Sequence, residues 1–195
     1  MTGNSQILTS DSPNAVTAQP RKVLKHIVSK GISGCVVLHD PQDTSVVWQL
    51  FVRGGQLAYA TSATRKTERL QCLIRTTHAE LARKQFGDDR CEYSGLCQWW
   101  HGAGLPMSRL RQLLVRLSLE ALVQALAIPK ATVEFDKASK VEPVLIETSL
   151  DEIPSPLWQM ALQWQQWRDP IASPFTRLYL ESQSREAFAD LCAQT

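Results

Sequence analysis

Apolar residues recur at helical spacing from Arg21 to Lys30, through Val23, Leu24, Ile27 and Val28, and the run stops at Gly31, which suits a left-handed C-cap. This predicts a short amphipathic helix. The pattern then changes to a period of two. Gly34 to His39 is compact and β-branched, Asp40-Pro41-Gln42-Asp43 is turn chemistry, and Ser45 to Val52 alternates with Val46, Trp48, Leu50 and Val52 on one face. Gly54-Gly55 can take the positive φ angles of a type I′ turn, so Gln56 to Thr61 returns as the third strand of an antiparallel meander.

Helical periodicity resumes over Arg65 to Phe86, with Leu70, Leu73, Ile74 and Leu81 on one side and Arg69, Arg75, Arg83 and Lys84 on a solvated other side. Residues 87 to 104 are rich in Asp, Cys, Gly and Trp and read as an irregular loop or insertion carrying Trp99 and Trp100. A Leu-rich helix is predicted from Arg109 to Ile128. Its second half is apolar nearly all round, so it belongs at the centre of the core, or between the domain and a partner. Pro129 ends it and Ala131 to Phe135 reads as a strand; Val144 to Ile146 is a weaker extended segment. A helix from Pro156 to Trp167 has Leu157, Met160, Ala161 and Trp164 at core spacing, and Ser184 to Cys192 suits a short terminal helix. The sum is an α+β fold, an antiparallel β-meander packed against several α-helices in a single domain over 21–195. Residues 1–20, polar with isolated apolar positions, read as a disordered tail.

Composition narrows the class only slightly. The 195 residues are 44% hydrophobic and 21% charged, which excludes global disorder and suffices for a core. No apolar run reaches the roughly 18 residues of a membrane span, and the N-terminus lacks a basic stretch followed by an apolar one, so the cytoplasm is the expected compartment. Five cysteines, an odd number in a chain of this size, are expected to be thiols. Charge divides along the chain. There are 18 basic and 11 acidic side chains to residue 140, a net of +7, against 3 and 8 beyond it, a net of −5. That asymmetry suits internal docking or a polar partner.

Candidate chemistry is sparse. His39-Asp40 leaves a strand, but no nucleophile elbow accompanies it, and it reads as a turn. Cys91, Cys97 and His101 offer three soft ligands without the tight Cys pair and fourth ligand of a structural zinc site. Gly102-Ala103-Gly104 lacks the third glycine and preceding strand of a phosphate fingerprint. No catalytic, cofactor-binding or metal-binding set converges, so a non-enzymatic binding module without a cofactor is expected. Six tryptophans favour protein contacts, because aromatic residues are enriched at binding hot spots. Trp99, Trp100, Trp158, Trp164 and Trp167 are the candidate anchors, one or two of them expected in the core, with Arg109 and Arg111 beside them. Self-association is left open. The alternative is a nucleic-acid-binding regulator that uses basic helices over 65–90 and 109–116.

The order of segments VLKHIVSKGISGCVVLH, VVWQLFVRGGQLAYATS, MSRLRQLLVRLSLEALVQAL, ATVEF, SLDEIP and LWQMALQWQQW resembles the PATAN domain, the N-terminal module of PatA-type cyanobacterial response regulators. The resemblance spans about 21–190. It is carried by the strand Gly34 to Leu38 after the basic helix, by Trp48-x-Leu50-x-Val52 with the Gly54-Gly55-x-Leu57-x-Tyr59-Ala60 hairpin, and by Trp164-x2-Trp167 followed by Ser173-Pro174. It implies a protein-protein interaction module of two-component signalling, which couples a light or developmental input to type IV pilus motility, as in phototaxis, or to cell patterning. Implied partners are a BLUF-type photoreceptor or the pilus extension ATPase. No receiver pattern follows in this chain, so phosphorylation control carries over to none of its residues. The stretch 87–104 matches no family motif.

Overall fold

The computed structural model describes residues 15–77, 93–150, 153–169 and 171. The chain forms β1 (Val16–Ala18), α1 (Pro20–Lys30), β2 (Gly34–His39), β3 (Val47–Arg53), β4 (Gln56–Ser62), α2 (Lys66–Thr77), α3 (Tyr93–Gly102), α4 (Met107–Ala127), β5 (Ala131–Asp136) and α5 (Ser155–Trp167). The strands make one antiparallel sheet in the order β1-β5-β2-β3-β4. The fold is α+β, and the meander lies where its alternation places it. Gly54 and Gly55 turn the β3–β4 hairpin at φ 57° and 82°. The end of α1 packs so closely on that turn that a Cβ at Gly55 would lie 3.1 Å from the Val28 carbonyl oxygen. α1 begins on Pro20 and stops at Gly31, whose N–H caps the helix at φ 57°.

Two segments correct the sequence reading. Val16–Ala18 belongs to the edge of the sheet through β5, so the part of the expected tail from Val16 to Pro20 is structured; residues 1–14 lie outside the described residues. Tyr93–Gly102 is a helix where a loop was expected. Tyr93, Leu96, Cys97 and Trp100 make an i, i+3, i+4, i+7 stripe that Gly95 does not interrupt, and all four are buried. The Gly102-Ala103-Gly104 step is the C-terminal cap of α3, with the Gly104 N–H on the His101 carbonyl at 3.0 Å. Residues 144–146 form no strand; instead Leu57 and Thr148 exchange backbone hydrogen bonds of 2.8 and 2.9 Å and close part of the β4 edge. The expected helical positions 78–86 and the terminal helix at 184–192 lie outside the described residues.

Residues alternate sides along the strands, so Val36, Leu38, Trp48, Leu50, Val52, Ala131 and Val133 face one layer. There they meet Leu24 and Ile27 of α1 and the second half of α4, Ala121 to Leu126. The first half of α4, Leu110 to Leu117, enters a second cluster with Leu70 and Ile74 of α2 and the α3 stripe. One helix therefore joins both clusters, which is why its apolar surface runs nearly all round. Between them, Ser118 accepts the Ala60 N–H at 3.0 Å and satisfies a donor on the sheet edge. Arg69, expected on a solvated face, is buried instead. Its Nε donates to Glu120 at 3.2 Å, and its guanidinium lies 5.6 Å from the centroid of the Trp48 ring. No helix among the described residues is long and apolar enough to cross a membrane.

At Gly34, a Cβ would fall 2.5 Å from the Phe135 ring and 2.8 Å from the Asp136 carbonyl, at a φ of 152° that favours glycine. The next residue, Cys35, lies opposite Asp136. Burial, and then that carboxylate, push the Cys35 thiol up to about 11, while burial pushes the Tyr93 hydroxyl up to about 12. Both groups hold their protons more tightly folded than unfolded. Their contribution to stability is thus intact below their ordinary values and falls as pH rises through them toward 11 and 12. The melting temperature is expected to drop between about pH 9 and pH 11. The Cys35→Ala protein should show a shallower drop over that range; an equal slope in thermal melts would remove Cys35 as a contributor.

Candidate functional site

α5 packs on α4 through a stripe that its own spacing defines. Ala161 is buried, and Leu157, Trp158 and Trp164 lie half-buried against the first core cluster. The Arg21 guanidinium of α1 sits 4.4 Å from the centroid of the Trp158 ring, a cation–π contact across the two helices. At the C-terminal end, Arg168 turns inward. It donates from both terminal nitrogens to Asp40, at 2.7 Å to Oδ2 and 2.5 Å to Oδ1, and both side chains are buried. Asp40 Oδ1 also accepts the Gln42 N–H at 2.9 Å. The turn expected at Asp40 is present, and its carboxylate additionally fixes the end of α5.

Fixing Arg168 inward presents the adjoining stripe outward. Met160, Gln163, Trp164, Trp167 and Ile171 follow at i, i+3, i+4, i+7 and i+11 and line a shallow groove of about 290 Å³. Met160 is 47% and Trp167 57% exposed, so the groove is an apolar strip on the surface. Met160, expected at core spacing, faces outward because α4 covers only the side of the helix centred on Ala161. The Ile171 N–H closes on the Trp167 carbonyl at 2.8 Å and carries the strip past the end of the helix.

The other candidates lie elsewhere. Trp100 is fully buried in the second cluster, with its Nε1–H on the Pro106 carbonyl at 3.1 Å, and so is no surface anchor. Trp99 is half-buried and meets the Trp100 ring edge-on at 6.0 Å. Trp158 is the floor of the Arg21 contact. Arg109 and Arg111 are exposed at the start of α4 and do not line that groove. Only Trp164 and Trp167 come together on the strip, with Met160 and Ile171 added. The helical period could have singled out Met160, since it shares a face with Trp164 and Trp167.

Cys97 is buried in the second cluster, and burial raises its thiol above the ordinary value, whereas His101 is exposed. Cys91 lies outside the described residues. No group of three or more His, Cys, Asp or Glu residues is placed to hold a metal ion among the described residues. Cys35, Cys72 and Cys97 are thiols that take part in no disulfide. His39 Nε2 lies 3.4 Å from Glu134 across the neighbouring strand, on the face of the sheet away from the first cluster. With the geometry in place, comparison of the chain with protein-family models, curated proteins and solved structures gives no match.

Proposed function

We propose that the chain is a PATAN-like, non-enzymatic docking module of cytoplasmic signalling, which binds a partner protein through the outward strip of α5. The observation that carries this reading is the strip itself. Two large apolar side chains, Met160 and Trp167, stand about half exposed beside half-buried Trp164, on a helix held rigidly by Ala161 beneath and by the Asp40–Arg168 pair at its end. An exposed tryptophan next to an anchored one on a rigid scaffold is the arrangement that supplies interface hot spots. In this proposal the partner is a BLUF-type photoreceptor or the pilus extension ATPase, and the output is type IV pilus motility or cell patterning. Nucleic-acid binding is the weaker reading, because Arg69 is committed to Glu120 and the core.

Titration of the purified chain against each of these two proteins by calorimetry tests the proposal. Trp167→Ala is expected to weaken binding at least about tenfold while leaving the melting temperature nearly unchanged. Binding of neither protein, or equal affinity of the variant, would contradict it. A steep fall in duplex-DNA affinity with salt, without any protein contact, would favour the regulator reading.

A further inference from the structure

The sheet face away from the first cluster carries a second, chemically different feature. Gln49 pairs with Thr61 and Phe51 with Tyr59 across β3 and β4, so these four side chains share that face. The Phe51 and Tyr59 rings stack at 6.2 Å with planes 24° apart, and Tyr59 leans on Tyr93 at 4.9 Å. Tyr93 in turn holds the wall above them. Its hydroxyl donates to the Pro143 carbonyl at 2.6 Å and accepts the Leu145 N–H at 3.2 Å, which fixes the segment after β5 against α3. Between sheet and segment lies a cavity of about 490 Å³, lined by this aromatic floor, by Lys66 of α2 and by Lys140. Its size falls within the range of about 300–1,000 Å³ typical of small-molecule sites.

We propose that this cavity binds a small aromatic phosphate of the size of a nucleoside monophosphate. A planar base has a stacking surface in the half-buried Phe51 ring, backed by the buried Tyr59, and such stacking tolerates any base. Its polar edge has the Gln49 amide and, at the paired position of the same face, the Thr61 hydroxyl oxygen, which can accept while its proton goes to the Ser62 carbonyl. The phosphate has two lysines from separate elements, each a compact charge suited to phosphate oxygens. Glu142 also lines the cavity and opposes the accumulation of further negative charge, which favours a monophosphate over a triphosphate. Purely apolar ligands are disfavoured because they would take these charged groups out of water. The site shares no residue with the α5 strip.

The test is calorimetric titration of the full chain with AMP, GMP, CMP and UMP in turn, with adenosine and inorganic phosphate as partial ligands. At least one nucleotide is expected to bind. Adenosine and inorganic phosphate should each bind at least about tenfold more weakly, since each keeps only one of the two recognised features. Lys140→Glu, on an exposed loop, should weaken nucleotide binding by at least the same factor, Lys66→Ala should weaken it independently, and Trp167→Ala should leave it unchanged. The proposal is overturned if none of the four nucleotides binds at millimolar concentration. It is also overturned if inorganic phosphate binds as well as they do, or if folded Lys140→Glu and Lys66→Ala proteins both bind normally.

Discussion

Replacing Arg168 by Ala is expected to cost about 3–5 kcal/mol of stability, because it strands the Asp40 carboxylate without its cation in a site where it cannot reach water. Asp40 is only 1% exposed and its side chain is short. Asp40→Ala should cost less than Arg168→Ala, since the long Arg168 side chain, at 8% exposure near a helix end, can turn its charge toward solvent. The Asp40→Ala, Arg168→Ala double variant should be more stable than the sum of the two losses implies, because no orphaned charge remains. Urea unfolding of the four proteins reads this directly. Simple additivity would mean that the two groups act independently and that the bidentate contact does not hold α5. The same variants connect stability to function. Releasing the end of α5 loosens Trp164, Trp167 and Ile171 together, so partner affinity should fall in Arg168→Ala even under conditions where the fold survives.

Trp100→Ala is expected to be comparably severe, at about 3–5 kcal/mol, through the cavity it leaves in the second cluster. It also removes the Nε1–H donor from the Pro106 carbonyl, and with it a direct link between α3 and the start of α4. Trp167→Ala, by contrast, should change stability by no more than about 0.5 kcal/mol, as is usual at an exposed site. Thermal melts of the two variants separate a structural tryptophan from a docking one. Similar losses in both would place Trp167 in the fold instead of on its surface.

Elements carried by local pattern were legible in the sequence. The alternation through Trp48, Leu50 and Val52 and the Gly54-Gly55 turn place the hairpin, and the leucine spacing of α4 places its helix within two residues of the expected start. Elements that depend on distant partners were not. β1 is three residues, Val16-Thr17-Ala18, too short for their alternation to mark a strand, and it is one only because β5 pairs with it. Asp40 and Arg168 are 128 residues apart, so nothing local marks the turn aspartate as half of a buried pair. Composition also misled. Glycine, cysteine and tryptophan between 87 and 104 suggested a loop, while the spacing of Tyr93, Leu96, Cys97 and Trp100 already described a helix face.

The candidate site was legible to the same degree. Helical period grouped Trp164 with Met160, but period alone does not say which side of a helix its neighbour covers. Only the packing of Ala161 of α5 against α4 decides that Met160 and Trp167 face outward. The reverse holds for Trp99 and Trp100, whose adjacency in sequence gives no sign that the second lies in the core.

The most direct test of the docking claim is hydroxyl-radical footprinting of the chain alone and in complex with the pilus extension ATPase, read at Met160 and Trp167 by mass spectrometry. Oxidation of both residues should fall markedly in the complex, while Phe135, which is 43% exposed on β5 and lies outside the strip, should stay as reactive as in the free chain. A complex that forms with Met160 and Trp167 still fully reactive would contradict the assignment of the α5 strip as the docking surface.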